Sequence, residues 1–318
     1  MAIVKPEEMS FSGERFGVII SGSPGSGKTT MALSAPNPLL IDFDKGVSRV
    51  NAKHRRDTII ATTYEEILND LKTDLSAYES IICDTGGSFI TCLQDYVMRD
   101  NPNQNCKKNG TISIQGFGAV KAEFERFTSW VRLTLNKHLI FVFHTVEEKD
   151  KDGNVKQRLM CEGSARNTVW TPVTLGCFLQ MIGDDRVAGF SPTEEYFAKS
   201  CHGISGLIKL PKLEGDTQNT FLTDIFIKMQ KSLEEENAVF ADNKAIYDKA
   251  MEQGKKIAEE VKDVATANKA IPKLKKIEHG LTSQKEVGVI FNAKIKELGL
   301  IFSKETGRYE IPSENANE

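Results

Sequence analysis

The stretch FGVIISGSPGSGKTT at residues 16–30 decides how this chain is expected to fold. It reads as a short apolar strand, a glycine-rich turn and the start of a helix. Between Gly22 and Thr29 it satisfies the pattern G-x-x-x-x-G-K-[ST], in which backbone N–H groups surround the phosphates of a nucleotide. The strand before the turn and the helix after it provide the context that a chance match would lack. The sequence therefore predicts a nucleotide site.

Each residue type in this loop has a chemical reason. The glycines lack a Cβ, so the backbone can adopt positive φ and bring N–H groups close to phosphate oxygens. Lys28 supplies a mobile charge for the β- and γ-phosphates, and Thr29 supplies a hydroxyl for Mg²⁺. The helix that follows directs its positive end at the same anion. The predicted nucleotide-binding residues are Gly22, Ser23, Pro24, Gly25, Ser26, Gly27, Lys28, Thr29 and Thr30.

The composition is typical of a soluble protein with one large or two small domains. Of the 318 residues, 40% are hydrophobic and 27% charged, with a formal net charge of −3. This charge does not indicate a nucleic-acid binder as a whole, so such a partner needs a local basic patch. Six cysteines without a C-x-x-C pair favour reduced thiols over disulfides or zinc. A polar N-terminus and the lack of a long apolar run predict a cytoplasmic protein with no membrane partner.

Apolar segments alternate with helix-like segments as far as residue 144. Strands are predicted at residues 39–46, 58–61, 80–85 and 139–144, in addition to the first one. Because these strands are apolar on both faces and separated by helices, they predict an α/β fold with a mainly parallel central sheet.

The pattern changes after residue 147. Asp152, Gly153 and Asn154 form a turn signal that predicts a protruding hairpin. Beyond residue 227 the chain becomes rich in Lys, Glu and Ala, which is typical of solvent-facing helices. We therefore predict a P-loop core at residues 1–227, a charged helical arm or linker at 228–280, and a small helix and hairpin at 281–318 with a disordered tail.

Three polar residues follow predicted strands at their carboxyl ends, where open α/β sheets bind ligands. Asp84 fits the acid that holds Mg²⁺ together with Thr29; the alternative is an acid that caps the next turn. Asp44 lies farther toward the carboxyl end than Asp42 and is our candidate for orienting the attacking water; the alternative is a surface acid at the end of a strand. His144 is a candidate sensor that hydrogen-bonds the γ-phosphate; the alternative is a histidine with a structural role.

The order of these motifs resembles the RecA-like ATPases and, more closely, the phage-encoded AAA-type ATP-binding proteins, some of which are single-strand annealing recombinases. The motifs are the loop at 22–29, LIDFD at 40–44, IICDT at 81–85 and FVFH at 141–144; YFAKSCHG at 196–203 is similar to a late motif of that group. The resemblance covers roughly residues 16–210. It implies a RecA-like ATPase with ATP and Mg²⁺ as ligands.

Two positions depart from the family pattern. The resemblance implies a catalytic acid at position 44, usually Glu, where this chain has the shorter Asp44. It also implies that Lys199 reaches the nucleotide of a neighbouring subunit as a cationic finger; the alternative is a solvated surface lysine. Cys201 stands where the family carries Arg, which weakens the case for a strong finger and fast hydrolysis.

The resemblance implies hydrolysis by in-line attack of water, with charge neutralised by Lys28 and Mg²⁺. Since such sites are commonly completed between subunits, we expect a homo-oligomer that handles single-stranded DNA in phage recombination or replication, in the cytoplasm of a bacterial host. The DNA is expected at loops 103–118 and 146–168; for the second loop, a solvated hairpin is the alternative. Their cationic and aromatic residues are Lys107, Lys108, Phe117, Lys149, Lys151, Lys156, Arg158 and Arg166.

Two other functions stay open at this point. One is a helicase-type motor or loader that acts on duplex DNA or on another protein. The other is a nucleotide-gated interaction module that binds ATP, turns it over slowly and uses its charged C-terminal helices to hold a partner. A P-loop kinase is less favoured, because nothing after the core resembles a substrate lid with paired arginines.

Overall fold

The computed structural model describes residues 4–60, 62–149, 153–161 and 165–312. The chain divides into two compact units, one of residues 12–232 and the other of residues 4–11 together with 233–312. Six residues of the predicted loop 146–168, at 150–152 and 162–164, and the predicted disordered tail at 313–318 lie outside the described residues.

A nine-stranded sheet forms the centre of the first unit. The strands are β1 (Gly17–Gly22), β2 (Pro38–Asp42), β3 (Thr58–Ile59), β4 (Ser80–Asp84), β5 (His138–Lys149), β6 (Val155–Leu159), β7 (Leu175–Ile182), β8 (Asp185–Gly189) and β9 (Leu207–Lys209). They lie in the order β3-β2-β4-β5-β1-β7-β8-β9, and β6 pairs with β5. The strands from β3 to β7 in this order pair in parallel, whereas β6, β8 and β9 pair antiparallel. The predicted fold class, α/β with a mainly parallel central sheet, is confirmed.

The helices of this unit begin where side chains cap them. Thr63 forms a capping box with Glu66, and the hydroxyls of Thr85 and Ser113 accept N–H groups of the first turns that follow them. Because Ser113 supplies this cap, the helix that carries Phe124 and Phe127 begins at Ile114. The helices are α1 (Lys28–Ala32), α2 (Tyr64–Asp70), α3 (Gly86–Asp100), α4 (Pro102–Asn105), α5 (Ile114–Ser129), which continues as a π-helical segment (Trp130–Thr134), and α6 (Ala165–Thr168).

Aromatic side chains form the core on one face of the sheet. Phe89 of α3 packs against Phe127 of α5 with ring centroids 4.7 Å apart, and against Phe141 of β5 at 6.0 Å. All three rings are fully buried. This packing holds α3, which begins two residues after Asp84, against the strand that carries His144.

The strand register brings the predicted site residues to one edge. In the β2–β4 pair, Asp42 lies opposite Asp84, and in the β1–β5 pair Gly22 lies opposite His144. Since β4 and β5 are also neighbours, the carboxyl ends of four adjacent strands meet. The loop after β1 and the acids after β2 and β4 therefore share one cleft.

The second unit is mostly helical, as predicted for the C-terminal region. Helix α7 (Phe221–Glu259) enters it at residue 233, and α8 (Val264–Leu274), α9 (Ser283–Glu297) and the hairpin of β10 (Ile301–Ser303) and β11 (Arg308–Glu310) follow. Its largest buried cluster consists of Val261, Ala267, Ala270, Phe291, Ile295 and Leu300. Residues of both predicted C-terminal segments thus contribute to one core. Within the described part of the chain, every helix is too short or too polar to cross a membrane.

Candidate functional site

The loop between β1 and α1 adopts a backbone that only glycine accommodates at two positions. Gly22 has φ +152°, and a Cβ there would lie 2.4 Å from the carbonyl oxygen of Leu179. Gly27 has φ +98°, and its Cβ would lie 2.9 Å from Nε of Arg186. Neighbouring parts of the chain therefore close around the loop, and a side chain at either position would displace them.

Lys28, Thr29 and Asp84 form the charged centre of this loop. Lys28 is only 4% exposed, and its Nζ donates to the carbonyl of Ser23 at 2.8 Å. Thr29 Oγ1 donates to Asp84 Oδ2 at 2.5 Å. A hydroxyl and a carboxylate oxygen side by side are the oxygen ligands that Mg²⁺ prefers. The hydroxyl of Ser26 is buried and has no hydrogen-bond partner among the described residues, so the loop has a free group for a ligand.

Burial shifts the pKa of both charged groups toward neutrality. It lowers the pKa of Lys28 to about 8, although the nearby Asp84 carboxylate opposes this shift. It raises the pKa of Asp84 to about 6, which the hydrogen bond from Thr29 opposes. At pH 7 the lysine is therefore mainly protonated and the aspartate mainly ionised, as binding of phosphate with a cation requires.

The two acids after β2 have different surroundings. The carboxylate of Asp42 is buried and accepts backbone N–H groups of the turn that follows, at 2.9 Å from Gly46 and 2.8 Å from Val47. Asp44 is exposed in the cleft, where Ser88 Oγ donates to its Oδ1 at 2.9 Å. Asp42 thus holds the turn, whereas Asp44 is free to act on a ligand.

His144 lies at the end of the phosphate cleft. Its Nδ1 is buried and finds no partner in the part of the chain that the structure describes. Burial lowers the pKa of its imidazole, and the cations Lys28 and Arg49 lower it further, against the opposing charge of Asp44. The ring is therefore neutral at pH 7, with one nitrogen available as a donor or acceptor.

These residues converge on one cavity of about 400 Å³. The predicted residues Lys28, Thr29, Asp44, Asp84 and His144 all line it. The full set of lining residues is Pro24, Gly25, Gly27, Lys28, Thr29, Thr30, Asp42, Asp44, Gly46, Arg49, Val50, Asp84, Thr85, His144 and Arg186.

The remaining predicted residues lie elsewhere. Lys199 does not line this cavity; its Nζ donates to the carbonyl of Val173 at 2.5 Å. In the first predicted DNA loop, residues 102–105 form α4 and α5 begins at residue 114, so Phe117 lies on a helix rather than in a loop. The whole of α3 separates this segment from Asp84, a helix about 22 Å long.

Sequence reasoning missed three residues of the cavity or its support. Ser88 lies three residues after Thr85, and a threonine followed at that spacing by a polar residue is a helix-start signal that could have located it. Arg49 and Arg186 have no such signal. Arg186 comes from β8, and its Nε donates to the carbonyl of Ser26 at 3.1 Å, 160 positions away in the chain. Only the pairing of β7 and β8 brings it to the loop.

We expect Arg186→Ala to weaken nucleotide binding about tenfold or more, because a charge-assisted hydrogen bond to the loop and a cation on the cavity wall are both lost. Arg186→Lys should not restore affinity, since lysine lacks the Nε that bonds Ser26. Titration calorimetry with ATP checks both. Arg99→Ala, which removes an exposed arginine paired with Glu65 at 2.9 Å, is the control and should leave affinity unchanged. Unaltered affinity in Arg186→Ala would contradict the assignment.

A glycine loop, a buried lysine and a strand-end acid at the carboxyl edge of a parallel sheet define a P-loop nucleotide-binding protein. Residues 15–202 match a family model described as an AAA domain, and the chain therefore belongs to that family. No protein with a curated description matches this sequence. One similar solved structure is that of the flagellar accessory protein FlaH from Methanocaldococcus jannaschii, with 13% identity and a TM-score of 0.30 over 57% of this chain and 78% of that chain.

Proposed function

We propose that this protein binds ATP with Mg²⁺ and hydrolyses it. The observation that carries the proposal is the convergence of Lys28, Thr29, Asp44, Asp84 and His144 on one cavity. Lys28 and Thr29 begin α1, and Asp44 follows β2. Asp84 ends β4, and His144 lies in β5. Each of the five side chains has a distinct task in phosphoryl transfer to water. Adenine rather than guanine is proposed on the resemblance of the motifs.

The residues present fit Mg²⁺. Thr29 Oγ1 and the Asp84 carboxylate, 2.5 Å apart, would hold the ion directly or through its water. When bound, Mg²⁺ neutralises charge on the phosphate oxygens. The Lys28 ammonium adds a second positive charge. Arg49 and Arg186 place two guanidinium groups at the walls of the same cavity.

Asp44 is the group that we propose orients the attacking water. It is exposed in the cleft, and the Ser88 hydroxyl holds one carboxylate oxygen, which leaves the other for water. Ser88 itself is held by Thr85, at 2.9 Å between the two hydroxyl oxygens. This chain connects Asp44 to the residue that follows Asp84, so the water-orienting and metal-binding acids are positioned together.

We propose that His144 transmits the presence of the γ-phosphate to the hairpin of β5 and β6. His144 lies within β5, and this strand continues without a break to Lys149, where it pairs with β6. A displacement of His144 therefore moves the hairpin, because both belong to one strand.

The base of this hairpin carries an aromatic and cationic surface suited to single-stranded DNA. Arg158 lies over the ring of Phe197, 4.7 Å from its centroid, and Phe197 is 49% exposed. Glu148 pairs with Arg158 at 3.7 Å and with Arg166, and so positions both guanidinium groups. Exposed aromatic faces beside arginines stack bases and bind phosphates without sequence preference. We call Arg158, Arg166 and Phe197 the arginine–phenylalanine surface.

The biological role that we propose is ATP-dependent handling of single-stranded DNA in phage recombination or replication, by a homo-oligomer in the cytoplasm of the bacterial host. In this proposal Lys199 leaves the carbonyl of Val173 and contacts the nucleotide of the next subunit. Its position in the isolated chain, together with Cys201 in place of an arginine, supports a second candidate: a nucleotide-gated interaction protein with low turnover.

ATP turnover with and without single-stranded DNA tests the proposal. We expect DNA to stimulate turnover, and Phe197→Ala to lower DNA affinity about tenfold, since stacking on one aromatic ring stabilises a bound base by about 1–3 kcal/mol. Phe302→Ala is the matched control, because that phenylalanine is 50% exposed but lies in the other unit. Turnover that is indifferent to DNA would contradict the DNA role. Tight ATP binding with negligible turnover would favour the second candidate.

A further inference from the structure

A second cavity, of about 530 Å³, opens beside the phosphate cavity. The two share Gly27, Thr30 and Arg186 as lining residues. The second cavity lies in the first compact unit and is enclosed by the segment after β2, the turn between β7 and β8, and the segment that joins β9 to α7. We call it the His54 cavity after its most buried titratable residue.

The path of a nucleotide out of the phosphate cavity leads toward the His54 cavity. The motif places the β- and γ-phosphates at Lys28 and Thr29, next to Asp84. Asp44 and His144 line the phosphate cavity but not the His54 cavity, so the shared wall at Gly27 and Thr30 lies away from the terminal phosphate. Ribose and base can continue past that wall, or past Pro24 and Gly25, which the phosphate cavity shares with a third cavity.

A third cavity, at the tip of the loop, fits a base less well. It is larger, about 750 Å³, and its lining includes the carboxylates of Glu147, Glu194 and Glu195. All three glutamates are at least partly exposed. The His54 cavity also has two carboxylates, Asp184 and Glu214, but Arg186 and Lys212 lie in the same lining, whereas no described residue that lines the third cavity is a lysine or arginine. Since a nucleoside triphosphate is itself an anion, the lining of the third cavity disfavours its approach.

His54 supplies a buried polar group that needs a partner. It is 5% exposed, and its Nε2 makes no hydrogen bond to any described residue. Burial lowers the pKa of the imidazole, and the neighbouring cations Lys53 and Arg56 lower it further, so the ring is neutral at pH 7. A buried polar atom without a partner is unfavourable, and the polar edge of a heteroaromatic ring can satisfy it.

The His54 cavity is lined by apolar, polar and charged residues, and hydrogen bonds hold its walls in place. Leu210 and Phe221, each 8% exposed, provide flat hydrophobic surface. The Asn219 amide donates to the carbonyl of Thr30 at 2.7 Å, and Lys53 Nζ donates to the carbonyl of Gly215 at 2.6 Å. These bonds connect the segment before α7 to both the loop helix and the segment that carries His54. A flat cavity of this kind, with a few placed polar groups, is typical of a small-molecule site.

We propose that the His54 cavity binds the purine base of the nucleotide, with the His54 imidazole contacting the polar edge of the base. This inference rests on the proposed function, since it assumes a nucleotide in the phosphate cavity. It adds the specificity-determining part of the site, which the motif does not encode.

Binding of ATP and of inorganic tripolyphosphate, each with Mg²⁺, separates the two assignments, because tripolyphosphate lacks ribose and base. We expect the wild type to bind ATP at least tenfold more tightly than tripolyphosphate. His54→Ala should lose most of that difference and leave tripolyphosphate affinity within twofold of wild type. Leu213→Trp, which fills the cavity from another wall, should do the same. GTP is measured in parallel. In His54→Ala the affinity for GTP should rise relative to that for ATP, because the site discriminates less between the two bases.

His279→Ala is the matched control, since that histidine lies in the other unit and contacts Ser283; we expect no change with either ligand. Thermal unfolding followed by circular dichroism verifies that each variant is folded. If His54→Ala does not fold, Leu213→Trp alone tests the base site. Equal affinity of wild type for ATP and tripolyphosphate would overturn the base site while the phosphate site stands. A parallel loss of both ligands in His54→Ala and Leu213→Trp would also overturn it. Failure of wild type to bind either ligand would overturn the proposed function and the base site together.

Discussion

Lys28→Ala is expected to reduce ATP turnover by about 10²–10³-fold, the effect typical of removing one preorganised charge from a developing anion. The physical reason is the position of this ammonium in the loop, where it is 4% exposed and close to Ser23, Thr29 and Asp84. Because water is largely excluded there, the charge acts on the phosphates with little screening. Steady-state turnover at saturating ATP, with binding measured by calorimetry, checks the prediction.

The same substitution should not destabilise the fold. Burial lowers the pKa of Lys28 to about 8, so the folded protein binds this proton less tightly than the unfolded chain does. Keeping the ammonium charged below pH 8 thus opposes folding, and alanine removes that cost. Lys244→Ala is the control, since that lysine pairs with Asp248 in the other unit. Wild-type turnover in Lys28→Ala would refute the assignment of this loop as the catalytic phosphate site.

Asp84→Asn is expected to abolish the Mg²⁺ dependence of nucleotide binding and to reduce turnover about 100-fold or more. The amide keeps an oxygen that can accept from Thr29 Oγ1, now 2.5 Å from the carboxylate, but it lacks the charge that attracts the cation. ATP affinity without Mg²⁺ should change little. Affinity measured as a function of Mg²⁺ concentration distinguishes these two effects.

The pH dependence follows from the direction of the pKa shift. Burial raises the pKa of Asp84 to about 6, so the wild type should lose Mg²⁺ affinity as pH falls below 6, whereas Asp84→Asn should show no such change. Since the folded pKa exceeds the unfolded one, ionised Asp84 opposes folding above pH 6. We therefore expect the unfolding free energy of Asp84→Asn at pH 8 to equal or exceed that of wild type. A variant less stable than wild type at pH 8 would contradict this account.

Asp42→Asn provides the contrast. The Asp42 carboxylate accepts N–H groups of Asp44, Gly46 and Val47, so the amide would leave part of the turn without acceptors. We expect a loss of about 1–2 kcal/mol in the unfolding free energy from urea titration. Replacing these two aspartates by asparagine should therefore change the unfolding free energy in opposite directions. The buried charge of Asp84 is unfavourable, whereas the carboxylate of Asp42 binds the backbone.

Much of the fold was predictable because local patterns encode it. The apolar runs ending at Gly22, Asp42, Asp84 and His144 marked four strands, and the rule that ligands bind at carboxyl ends placed their polar residues together. The capping box of Thr63 and Glu66 is likewise encoded locally, since it depends on residues three positions apart. The start of helix α3 is harder to read from sequence, because its first residues are Gly86 and Gly87, and glycine disfavours helix.

The rest of the site was hidden because its contacts are long-range. Arg186 reaches the loop from an antiparallel hairpin, and the His54 cavity is closed by a lysine that bonds Gly215, 162 positions away. Nothing in the local composition distinguishes Arg186 from an ordinary surface cation, or His54 from an ordinary core histidine. The arginine–phenylalanine surface likewise joins the hairpin to the late motif, which sequence reasoning treated separately.

The sequence by itself determined a P-loop, a mainly parallel sheet and the acids at its edge, because strand periodicity, glycine freedom and the chemistry of phosphate binding act over a few neighbouring residues. Only the tertiary structure decided that the Asp42 carboxylate binds the following turn while Asp44 is exposed, which cations accompany Lys28, and that a second cavity adjoins the first. Those outcomes depend on pairing between strands that are distant in sequence. They also depend on burial, because a polar group removed from water needs a hydrogen-bond partner within the folded chain.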